Sequence, residues 1–87
     1  MTNVISPTIS IRAATTGDGP VLARLAALDS APVPFGPALL AEVDGQPRAA
    51  LSVAEDRVIG DPFARTAELG ELLRLHARGL ARVPLAA

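Results

Sequence analysis

This 87-residue chain has no cysteine, no lysine, no tryptophan and no tyrosine, and it carries a single histidine and two phenylalanines. Without cysteine there are no disulfides, thiolate metal sites or cysteine nucleophiles. Without lysine there is no Schiff-base chemistry, and His76 alone cannot build a zinc site. The near absence of aromatics, together with a net charge of −1, argues against nucleic acid, since there are neither stacking platforms nor a basic field. No apolar run reaches the length of a membrane helix. The N-terminal MTNVISPTI has no basic stretch leading into an apolar one, so a cytoplasmic location is expected and no membrane partner.

What the chain does have is alanine, seventeen residues of it, in a sequence that is 49% apolar. Small side chains bury modest area, and a single domain of this size has little to spare. A second copy would add burial without lengthening the chain, which favours an oligomer. The charge is uneven: residues 1–64 balance to −3 and residues 65–87 to +2.

The segment 38–59, ALLAEVDGQPRAALSVAEDRVI, organises the rest. Asp44-Gly45 stands between two apolar runs, and both residue types tolerate positive φ, the requirement of a tight hairpin. An antiparallel meander of three strands is predicted at 38–43, 47–54 and 57–60. Both longer runs are apolar on both faces, as in a sheet covered on both sides. Ahead of them, Thr8–Ala13 alternates and reads as strand one. Thr15 with Asp18 three residues on, and Pro20 in the first turn, opens helix one at 16–30. The loop SAPVPFGP follows, with Phe35 expected to plug the sheet. Thr66 is the expected N-cap of helix two at 67–82, whose stripe is Leu69, Leu72, Leu73, His76 and Leu80.

These elements make an α+β fold in one domain, residues 8–83, with flexible tails at 1–7 and 84–87. The order is β-α-β-β-β-α, a mainly antiparallel four-stranded sheet with a helix on each face. Ile9, Ile11, Leu40, Leu51 and Val53 are expected in the core from the strands. From the helices come Leu22, Leu25, Leu28, Leu69, Leu72, Leu73 and Leu80.

The stretches Ile11–Leu28, IRAATTGDGPVLARLAAL, and LLAEVDGQPRAALSV resemble the N-terminal half of the GNAT N-acetyltransferase superfamily. The residues that carry the likeness are Ile11, Arg12, Ala14, Thr15, Asp18, Leu22 and Leu25. The hairpin adds Ala41, Glu42, Asp44, Gly45 and Ala49. The resemblance implies the half-domain fold given above. It also implies where an enzyme of that family would hold coenzyme A: a Gly-rich loop after strand four. Here that place reads Gly60-Asp61-Pro62-Phe63-Ala64-Arg65-Thr66, with one glycine, an added negative charge and a proline that removes a donor. The later strands of the family are missing. Hence no catalytic, cofactor-binding or metal-binding residue is assigned and no cofactor is expected.

Other candidates have plainer readings. His76 on the leucine stripe is a general base only if an acidic partner stands beside it, and otherwise a core or interface residue. Arg74, Arg78 and Arg82 line one helix face, either gripping an acidic partner or phosphate, or complementing the helix C-terminus in solvent. Arg65 and Thr66 at a helix start have the geometry of an anion site, against which Asp61 argues.

Two functions follow: a non-catalytic GNAT-like interaction domain working as a homodimer, or an acyl-CoA-dependent N-acyltransferase whose cofactor site another chain completes. The expected interface is Arg57, Val58 and Ile59 on an unpaired strand-four edge, with Leu72, Leu75, His76, Arg78 and Gly79 of helix two beside it. An unidentified protein partner is the remaining possibility.

Overall fold

The computed structural model describes residues 8–34, 36–62 and 66–81, leaving aside the side chains of 80 and 81. Its strands are β1 (Ile9–Ala13), β2 (Ala38–Val43), β3 (Gln46–Ser52) and β4 (Arg57–Gly60). They form one antiparallel sheet in the order β1-β2-β3-β4. Two helices, α1 (Gly19–Leu28) and α2 (Thr66–Ala81), lie on opposite faces of it.

The central turn forms as its composition requires. Asp44 and Gly45 both take positive φ, 51° and 82°, which closes the two-residue β2–β3 hairpin. Asp44 also ties the turn to the chain before β1: its N–H donates to the Thr8 carbonyl at 2.8 Å, and its Oδ1 accepts from Thr8 N. Past the turn the register shifts. Glu42 faces Pro47 while Ala41 faces Ala49, so Arg48 is the extra residue of a β-bulge.

Alternation then divides the sheet's apolar residues between two cores. Leu40, Ala50 and Ile59 meet Leu22, Leu25 and Ala26 of α1. Leu39, Ala41, Ala49 and Leu51 meet Leu69 and Leu73 of α2. The alanines let the helices come close, and Gly70 carries this furthest: a Cβ there would lie 3.4 Å from both Val58 methyls.

Several expectations are corrected. Helix one begins as a single 3-10 turn (Thr16–Asp18) and ends earlier, at Leu28. It closes with Ala31 N donating to Ala26 O and Ser30 N to Ala27 O, with Ser30 at φ 49°. That is a Schellman ending with serine where glycine is usual. Thr66 is the first residue of α2 rather than its cap, and its hydroxyl donates to the Asp61 carbonyl.

Val53, expected in strand three and the core, lies outside β3 and is 46% exposed. The chain turns early, because the Ser52 Oγ accepts from Glu55 N and Asp56 turns left-handed at φ 49°. Ile9 is 43% exposed and Leu72 38%, because α2 packs over β2, β3 and β4 and leaves β1 uncovered. Leu28 is exposed at the end of α1. Ala26, Ala38, Leu39, Ala41, Ala49, Ala50 and Ile59 are buried beyond the expected list. Phe35 and the side chain of Leu80 lie outside the described residues.

Candidate interaction surface

The chain's charged groups are mostly committed to holding it together. Arg12 leaves β1 on the α1 side and donates from both terminal nitrogens to the two Asp18 oxygens, at 2.8 and 2.9 Å, with Glu42 3.4 Å away. Asp18 is buried and also accepts from Thr15 N and the Thr15 hydroxyl. The Arg12 guanidinium, with help from those Thr15 donors, holds the Asp18 carboxyl well below the usual aspartate range. The same pairing raises Arg12 further above its ordinary value.

The second buried carboxylate stands immediately after β4. Asp61 is 6% exposed, pairs with Arg48 at 2.9 Å, and donates its N–H to the Arg48 carbonyl. The space above Gly60 is taken by Thr66, whose Cγ2 would lie 2.6 Å from an added Cβ. Thr66 is thus packed on the sheet; Arg65 lies outside the described residues.

The expected interface residues do not form one surface. The side chains of strand four are engaged within the chain: Ile59 is buried under α1, and Val58 packs beneath Gly70 of α2. Arg57 donates to the Pro32 carbonyl and pairs with Glu55. In contrast Leu72, Leu75, His76, Arg78 and Gly79 are all exposed on α2, with Leu75 at 56%. Leu69 and Leu73 take the sheet side of that helix, so Leu75 points away from the sheet.

The arginine row is likewise divided. Arg74 reaches the hairpin after β3, where it pairs with Asp56 at 3.2 Å, whereas Arg78 is exposed and Arg82 lies outside the described residues. Between them an open groove of about 310 Å³ has Leu51, Val53 and Ala77 as its apolar lining. His76 is exposed, and among the described residues no group of His, Asp and Glu is placed to hold a metal ion. No helix among them is long and apolar enough to cross a membrane.

The strand edges differ in a way that composition does not reveal. The Asp61 N–Arg48 O bond fixes which pairs of the β3–β4 ladder exchange hydrogen bonds: Ile59 with Ala50, and Arg57 with Ser52. Val58 and Gly60 therefore direct their backbone groups away from β3. Gly60 N–H is taken by Asp29 Oδ2 at 3.2 Å, and the loop after α1 runs alongside, held by Arg57 to Pro32 O. Among the described residues, Val58 keeps both its outward N–H and its carbonyl open.

At the opposite edge, Ala14 N–Ala38 O and Asp44 N–Thr8 O place Ser10 and Arg12 in bonded pairs with β2. Ile9, Ile11 and Ala13 consequently turn their N–H and C=O groups outward. Among the described residues the one contact these groups receive is from Arg12, whose Nη1 lies 3.3 Å from the Ala13 carbonyl. Strand one's alternation was visible in the sequence; which of its sides would be left open was not.

No family model, curated protein or solved structure matches this chain.

Proposed function

We propose that this chain is a non-catalytic interaction domain that works as a homodimer, in the cytoplasm, built on a scaffold like the N-terminal half of a GNAT acetyltransferase. The observation that carries this reading is the apolar surface on the α2 side of the sheet. Ile9 of β1 and Leu72 of α2 are exposed there, whereas the buried leucines of the described residues are spent on two small cores. Exposed apolar groups gathered on one side of a small domain are what a partner covers. The non-catalytic part rests on the segment after β4, where a buried, paired Asp61 and a packed Thr66 occupy the place a phosphate would need.

Two measurements test the two halves of the proposal. Light scattering at tens of micromolar should give twice the 8.9 kDa chain mass, and a monomer would overturn the homodimer. Melting with and without millimolar acetyl-CoA should show no shift, because a ligand of the folded state must raise the melting temperature. A reproducible rise would replace the non-catalytic reading with the acyltransferase one.

A further inference from the structure

We propose that two copies of this chain pair antiparallel along β1, about a two-fold axis through Ile11, to make one continuous eight-stranded sheet. This rests on the homodimer reading and names the surface that reading leaves open.

The argument begins with the backbone. An edge with outward groups at three alternate residues, Ile9, Ile11 and Ala13, is self-complementary when the central one sits on a two-fold axis. Ile11 then faces its mate, and Ile9 faces the mate's Ala13, each pair exchanging two backbone hydrogen bonds. The Ala13 carbonyl, near Arg12 Nη1, keeps a second lone pair for this. Among the described residues the β4 edge offers no such register, since Asp29 takes Gly60 N–H and leaves Val58 as the position with both groups open.

Side chains agree with the same register. On the α2 face it brings Ile11 to Ile11 and Ile9 to alanine, covering the exposed isoleucine. On the α1 face Arg12 falls opposite Ser10 of the mate rather than opposite the other Arg12. Its charge is already met by Asp18 and Glu42, so no bare cation is brought to the seam.

The helices do not obstruct it. The axis is perpendicular to the sheet, so both α2 helices stay on one side. Helix α2 sits mainly over β3. Five strand spacings of about 4.8 Å would separate the two helix positions by about 24 Å, more than the roughly 10 Å diameter of a helix.

The test uses charge at the two facing positions, both exposed in the single chain. An acidic variant, Ile9→Glu with Ala13→Glu, and a basic one, Ile9→Lys with Ala13→Lys, each set like charges directly opposite. Each should be monomeric at concentrations where the wild type is a dimer, with unchanged circular dichroism. An equimolar mixture should recover the dimer mass. Amide exchange in the wild type should slow at Ile9, Ile11 and Ala13 as concentration rises, and not at Val58.

A wild-type dimer whose acidic variant remains dimeric, or whose concentration-dependent protection falls at Val58, would overturn the β1 pairing while leaving the homodimer intact. A monomeric wild type would remove both.

Discussion

At the scale of single residues, the fold turns on a few positions where one atom decides the outcome. Gly60 is one. An added methyl would meet Thr66 Cγ2 at 2.6 Å and the Arg48 carbonyl at 3.1 Å. Gly60→Ala should therefore destabilise by about 1–3 kcal/mol in urea unfolding, and Thr66→Ser, which removes that methyl, should recover part of the loss. Ser30 is strained in the opposite sense, holding φ 49° at the end of α1 where glycine is at ease. Ser30→Gly should stabilise, by about 0.5–1 kcal/mol, and an unchanged unfolding midpoint would contradict that. Asp18 sets a pH dependence. Folding lowers its pKa, chiefly through the hydrogen bonds from Arg12. Its contribution is thus whole above the unfolded value near 3.9 and is lost as pH falls through the folded one. The gap in melting temperature between wild type and Asp18→Asn should be constant from neutral pH to about pH 5 and narrow below it. A gap that widens in acid would show the pairing to be misassigned.

At the scale of elements, helix α1 offers the sharpest contrast. Leu25 is 1% exposed among sheet residues, whereas Leu28, one turn on, is exposed at 39%. Leu25→Ala should cost about 2–5 kcal/mol, and Leu28→Ala no more than about 0.5 kcal/mol. Equal losses would mean that the helix face has been placed wrongly. The elements themselves were largely legible in the sequence. Asp44-Gly45 marked the hairpin, alternating residues marked the strands, and leucines at helical spacing marked the two faces. What was hidden depends on lateral position. Periodicity says that Ile9 and Leu72 belong to an apolar side, but not that α2 centres on β3 and stops short of β1. It gives no notice of the bulge at Arg48. The Arg48–Asp61 and Arg12–Asp18 pairs were equally out of reach, since each joins residues whose separation in sequence follows no repeat. Edges are the extreme case: β4 looked open because nothing in the sequence places Asp29 and Pro32 alongside it.

At the scale of the whole molecule, two thin cores and much alanine leave little reserve, so association and stability should be linked. Where the folded chain stays dimeric up to its melting temperature, each tenfold rise in concentration adds about 1.4 kcal/mol per dimer, or roughly half that per chain. For a domain of this size that corresponds to a rise of about 3–5 °C in melting temperature for each decade. The dependence should survive Leu75→Glu, because Leu75 points away from the sheet on the outer side of α2 and takes no part in a β1 seam. It should vanish in Ile9→Glu with Ala13→Glu, which repels along that seam while leaving both cores intact. Scanning calorimetry across about two decades of concentration measures all three proteins in one experiment. A melting temperature that does not move with wild-type concentration would separate folding from association and end the homodimer reading. Dependence lost with Leu75→Glu but kept in the β1 variant would instead place the contact on α2, with the helices meeting face to face.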